Sequence, residues 1–447
     1  MPAAVLGIMA LSVALRLPFL AAPLTPDEGY YAYVAYWWQR GHTLYDTVWG
    51  PRPQGVFLAY TLGMRLLGES TEALRLFGAL YGSVTCVFVY LIAARFLSQR
   101  LGLLAALLYA VLSAHPVIEG FNPNGELYMV LPATISVYLL FTAYRADSTS
   151  RGHVPPTAWL VVAGATAGLA FQMKQSGIVA LSFALSYVVL EEWLHQPRTT
   201  FIELFKKGAA LLVGFGLVLL PSVVHGLVTA PAGYLDAVIQ YRWTGGSFWT
   251  RSLEYQASHF LQSAVRVVVP LAPLLLGAWW ALRVRERLWP LYLWFFWSFL
   301  GLAISGDWFV HYYVQLAPPL AVLAAPGLSL LWDHRRDNRS MTLVMGAEVV
   351  LIGIFIGHTL HFYVAPTPEE RYWRVSGEPL YLISDEVGRY LRERTDPSAT
   401  VYMAYEGANI LYLSRRFSPE KHLSITPLFH APGTYEELLA MVADPKR

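Results

Sequence analysis

Stretches of apolar residues recur along this chain at about 2–22, 73–94, 101–118, 127–144, 158–172, 177–194, 208–228, 264–282, 289–304, 313–332 and 341–363. A bilayer-spanning helix needs about twenty such residues, and eleven runs leave little room for a conventional soluble core. The expectation is a polytopic, all-α membrane protein with about eleven transmembrane helices. Composition agrees: 55% of the 447 residues are hydrophobic and 14% charged, whereas a soluble chain carries about a quarter charged residues. A net charge of +2 argues against a nucleic-acid partner. The single cysteine, Cys86, lies inside an apolar run, so no intrachain disulfide forms. The first run has no cationic lead and no small-residue cleavage pattern, and is expected to remain as an uncleaved span.

Basic residues set the orientation. With the N-terminus in the cytoplasm, Arg95, Arg100, Arg145, Arg151, Arg198, Lys206, Lys207, Arg283, Arg285, Arg287, Arg335, Arg336 and Arg339 share one side. The short loops opposite hold only Lys174. This bias places the first set inside and residues 23–72, 229–262 and the tail from 364 outside. The chain then divides into a membrane domain, 1–363, and a C-terminal extracytoplasmic lobe, 364–447. A helix at about 382–394, a turn at Asp396-Pro397 and a strand at about 400–404 predict a small α/β lobe.

The outer segment 23–72 is too long and aromatic for a plain connector. YYAYVAYWWQ and GVFLAYTLGMRLL each have helical apolar spacing and read as helices lying in the interface plane, with Trp37 and Trp38 as belt anchors. Asp27 and Glu28 follow Pro26 where the first run leaves the hydrocarbon, at the depth of a lipid headgroup. Asp27 could equally cap the next helix. Ionisable groups at membrane depth are costly and mark candidate sites: Glu126 at the start of the fourth run, Lys174 in the tight turn before the sixth, and Asp307 and His311 before the tenth. Asp46 and Arg52 share their face. The plainer alternatives are a snorkelling Lys174 and a belt role for His311. Carboxylates with several cations suit a phosphate-bearing lipid: cations hold a phosphate leaving group, and a carboxylate takes a proton from an attacking hydroxyl.

Four passages, PDEGYY, NPNGELYMVLP, GLAFQMKQSG and HYYVQLAPPLAVLA, resemble those of the GT-C glycosyltransferases, specifically the bacterial protein-mannosyltransferase-like group that includes the lipid A aminoarabinose transferases. A fifth, ATVYMAYEGANILYLSRR, looks like that group's C-terminal lobe. The resemblance implies a GT-C fold in a bacterial inner membrane. It also implies inverting transfer of a sugar from a polyprenyl-monophosphate donor to an acceptor hydroxyl on the outer face. The acceptor is a lipid, a glycan or a protein. Asp27 falls on the family's presumed base, Glu126 on its second acidic position, and Glu28 joins them as a catalytic candidate. Arg52, Lys174, His311, Tyr312 and Arg242 are the candidate donor-phosphate contacts. Arg52-Pro53-Gln54 stands where relatives often have Lys-Pro-Pro, and Gly306-Asp307-Trp308 where they carry an arginine before the His-Tyr pair. Some members hold a divalent metal, for which Asp27, Glu126 and His311 are the candidate ligands. The competing expectations are a transporter or flippase of a lipid-linked sugar, and a ligase or polymerase using a lipid-diphosphate donor.

Overall fold

A computed structural model of the protein describes residues 2–145, 156–195, 199–244, 251–334, 339–403 and 407–423. Every one of the eleven apolar runs is helical there. Among the described residues seven helices are long and apolar enough to cross a membrane, including Thr71–Phe96, Phe201–Thr229, Leu253–Ala281 and Arg339–Tyr363. Ala3–Phe19, Gln99–Ser113 and Leu288–Ala303 are shorter apolar segments, and Pro156–Met173 completes the set. Arg151, Arg198, Arg335 and Arg336 of the expected cytoplasmic loops lie outside the described residues.

Side-chain oxygens set where several helices begin. Ser70, Thr200 and Ser252 each accept from the third backbone N–H beyond them, satisfying a donor that would otherwise be orphaned. The Ser252 cap starts its helix at Leu253, eleven residues before the apolar run expected there at 264, so the loop expected over 229–262 is shorter than its sequence suggested. Further along, backbones approach closely where side chains are absent. A Cβ on Gly164 would lie 2.0 Å from the Leu211 carbonyl oxygen, and one on Gly214 1.8 Å from that of Val161. Small residues at crossings let packing replace a hydrophobic drive that lipid does not supply.

Two helices shape segment 23–72. In Gln54–Leu67, Leu58, Leu62 and Leu66 form an exposed stripe opposite buried Val56, Phe57, Tyr60 and Met64, the pattern of a helix with one apolar face toward lipid. Pro26–Trp38 differs. Its residues from Glu28 to Ala35 are all buried, so it is an interior element rather than an interfacial one.

The reason lies in the C-terminal tail. Helix Ala408–Ser414 lies across Pro26–Trp38 so closely that a Cβ on Gly29 would sit 2.3 Å from the Asn409 Cα. Asn409 Nδ2 donates to the Leu24 carbonyl (3.0 Å) and the Ser384 hydroxyl (2.8 Å), and Tyr412 OH donates to the Glu69 carbonyl at 2.6 Å. Among the described residues the expected strand at 400–404 is not formed. One isolated parallel bridge, Thr400 to Phe417, stands in its place, too little pairing to make a sheet. The described tail is therefore helical, with Pro368–Ser376, Pro379–Leu382 and Ser384–Arg394 preceding the docked helix.

Candidate active site

Thr25-Pro26-Asp27-Glu28 starts helix Pro26–Trp38 and separates its two acids. Thr25 accepts from the Glu28 backbone N–H, while the Glu28 carboxylate accepts from the Thr25 backbone N–H at 3.0 Å. This reciprocal capping box uses both orphan donors. Glu28 also accepts from Arg75 through two guanidinium nitrogens at 2.8 and 2.7 Å, and Arg75 donates as well to the carbonyls of Phe19, Ala22 and Pro23. Each side chain of this pair is only 1% exposed. Glu28, a catalytic candidate in the sequence, is thus spent on cap and ion pair and does not line the cavity onto which Asp27 opens. Asp27 takes no part in the cap, and its side chain is 48% exposed.

Asp27 opens onto a cavity of about 560 Å³ on whose wall Arg52, Glu119, Arg251, Arg266, Asp307, His311 and Tyr312 also stand. The volume is that of a typical small-molecule site, about 300–1,000 Å³. Arg52 is buried; its Nε donates to the Tyr31 hydroxyl (3.2 Å) and Nη1 to the Pro51 carbonyl (3.0 Å). Among the described residues no carboxylate lies in ion-pair range of it, so its charge is available to an anion in the cavity. The ring of His311 stands between two acids, with Nε2 3.7 Å from Asp27 Oδ2 and Nδ1 3.4 Å from Glu119 Oε2.

Glu126 and Lys174 form a buried ion pair, and the ammonium lies 3.7 Å above the Tyr312 ring. Neither lines the cavity; they adjoin it behind Tyr312. Gln175 ties the turn to the first loop by donating to the Pro51 carbonyl at 3.2 Å. The structure therefore brings Asp27, Arg52, His311 and Tyr312 to one wall, with Glu126 and Lys174 a layer beneath. The Arg242 side chain lies outside the described residues. Asp46 is exposed and does not line the cavity.

Glu119 was not singled out in the sequence, although it lies in HPVIEGFNPN at the same depth as Glu126. It sits in the left-handed backbone region, φ 51°, where non-glycine residues are uncommon and cluster at functional sites. The turn is pinned from below: Arg16 Nε donates to the Gly120 carbonyl (2.8 Å) and Nη2 to that of Ser113 (2.7 Å). Asn122 Nδ2 donates to Glu119 at 3.2 Å. Burial pushes the Glu119 carboxyl up, but the imidazole of His311, with Arg266 and Asn122, outweighs it and holds the group below the usual carboxylate range. On the next wall, Arg251 meets Asp307 at 3.1 Å and Tyr255 OH donates to the same oxygen at 3.3 Å. A cation thus stands beside the Asp307 loop, brought by another segment.

The residues expected to hold a divalent metal do not fit one. Glu126 is engaged by the Lys174 ammonium, and both ring nitrogens of His311 face carboxylates. Among the described residues no group of three His, Cys, Asp or Glu is arranged to bind a metal ion.

This arrangement, an acid and a guanidinium that no carboxylate among the described residues pairs, on one cavity wall, sits in a multi-pass helical membrane protein with the GT-C fold. A family model described as dolichyl-phosphate-mannose-protein mannosyltransferase matches residues 51–218. The structure resembles ArnT from Cupriavidus metallidurans in the apo state, with TM-score 0.63, 16% identity, and coverage of 93% of this chain and 84% of that one. It also resembles the Archaeoglobus fulgidus oligosaccharyltransferase in complex with Zn and sulfate, with TM-score 0.61, 16% identity and 93% of this chain covered. For the same organism's AglB, with an inhibitory peptide and a dolichol-phosphate, the TM-score is 0.58 and the identity 14%, again over 93% of this chain. This chain spans only 62% and 64% of those two archaeal chains. No curated protein sequence matches it significantly.

Proposed function

We propose that the protein is an inverting glycosyltransferase of a bacterial inner membrane, drawing its sugar from a polyprenyl-monophosphate donor on the outer face. Asp27 is the base. The acceptor oxygen bonds to the anomeric carbon as the carbon–oxygen bond to phosphate breaks; the bonding pair leaves with the phosphate, and the acceptor proton passes to Asp27. Arg52 receives the departing phosphate, with His311 and Tyr312 beside it and Lys174 adding positive charge from beneath.

One observation carries this reading: the capping box occupies Glu28 and leaves Asp27 open to the cavity that Arg52 also lines. A transporter has no need of a half-exposed carboxylate there. Purified protein in nanodiscs, given a panel of polyprenyl-phosphate sugars and lipid, glycan and peptide acceptors, is expected to form product, and Asp27→Asn to abolish it while keeping the fold and donor binding. Lipid translocation without product, or full turnover by Asp27→Asn, overturns the proposal.

A further inference from the structure

Between Asp27 and Glu119 stands the imidazole of His311, whose place beside the phosphate does not explain why it is held by two acids at once. The His311 ring reaches Asp27 through one nitrogen and Glu119 through the other, at 3.7 and 3.4 Å. It is wedged as well as paired, with the Phe309 ring stacked 5.7 Å from it at 6° and the Tyr312 ring edge-on at 4.8 Å. Glu119 is wedged too, since its left-handed turn is tied to Arg16 through Gly120 and to Asn122. An imidazolium that donates Nδ1–H to one carboxylate has its ring orientation set and presents its Nε2–H in a fixed direction. Here that direction is toward Asp27.

We propose that Glu119 is a positioning residue that acts through His311. By accepting Nδ1–H it aims Nε2–H at one oxygen of Asp27, leaving the other oxygen turned to the acceptor hydroxyl, and the held imidazolium takes the place between two carboxylates where a divalent cation would otherwise be needed. This rests on Asp27 being the base. Neither Glu119 nor His311 exchanges a proton with substrate in this scheme. What they supply is the angle of the carboxylate, and a misplacement of about 1 Å at such a group costs about a hundredfold in rate.

Three measurements on the full-length protein in nanodiscs test it. In ¹⁵N-histidine-labelled protein, with the His311 signals assigned by their loss in His311→Gln, Nδ1 is expected to be protonated and to shift in Glu119→Gln. An unprotonated Nδ1, or one unmoved by Glu119→Gln, overturns the proposal. Electron paramagnetic resonance of added Mn²⁺ is expected to show no tightly held ion; one equivalent bound in wild type and lost in Asp27→Asn overturns it. With any polyprenyl-phosphate sugar that gives turnover, Glu119→Gln is expected to lower kcat about a hundredfold at unchanged KM, and Glu119→Asp to recover part of it. Unchanged kcat, or a loss matched by a fall in Tm, overturns it. If no sugar gives turnover, the glycosyltransferase reading fails while resonance and Mn²⁺ binding still decide the geometry.

Discussion

Asp27 and Glu28 are adjacent in sequence, yet they belong to two regions built in opposite ways. The region around Glu28 is closed: its carboxylate meets Thr25 and Arg75, and Arg75 spends its remaining donors on carbonyls between Phe19 and Pro23. The region around Asp27 is open, since the one basic side chain in ion-pair range of it among the described residues, His311, stands off at 3.7 Å and half of the side chain is exposed. A buried pair with every lone pair and proton matched holds the chain as it leaves the first helix. A carboxylate left partly unmatched beside a free guanidinium has capacity for a substrate. The difference separates structure from chemistry within one peptide bond.

Four substitutions break or sharpen this contrast. The largest effect is expected from Asp27→Asn, which removes a base and nothing structural; transfer should fall by about 10²–10⁴ or more with Tm unchanged by differential scanning calorimetry. Arg75→Met should do the reverse. It strands a buried Glu28 carboxylate and several carbonyls at a cost of about 3–5 kcal/mol, read as lost monodisperse protein after detergent extraction rather than as a specific kinetic defect. Arg52→Lys keeps the charge but loses the planar fork, and should raise the KM for a polyprenyl-phosphate donor about tenfold, or about 1.4 kcal/mol, at similar stability. Asp46→Asn is the control. Although it lies in the same outer segment, Asp46 is exposed and off the cavity wall, so its stability change should stay within about 0.5 kcal/mol, with transfer unaltered.

The membrane frame was legible in the sequence because hydropathy is a property of each residue: all eleven apolar runs are helices. Asp27, Arg52 and His311 were legible as a group because they share a depth, and depth follows from distance to a run's end; Tyr312 came only from the resemblance. The division of labour between the two acids was written in Thr25-Pro26-Asp27-Glu28, since Thr followed three residues later by Glu is the capping-box spacing; a cap role assigned to Asp27 passes over it. Glu119 was harder to find. Its importance comes from a left-handed turn and from an imidazole almost two hundred residues away, and no periodicity encodes either. Among the described residues the tail's expected strand is absent for a related reason. Local β-propensity over 400–403 meets one bridging partner there, Phe417, while the following helix found a large buried partner in the first loop.

The most direct measurement is an experimental structure of the protein in a lipid nanodisc with a polyprenyl phosphate bound. The account predicts the phosphate against the Arg52 guanidinium, with Asp27 across the cavity on the side an acceptor would enter and Glu28 still locked to Arg75. A phosphate seated away from Arg52, with Asp27 turned out of the cavity or Glu28 released into it, would contradict the account.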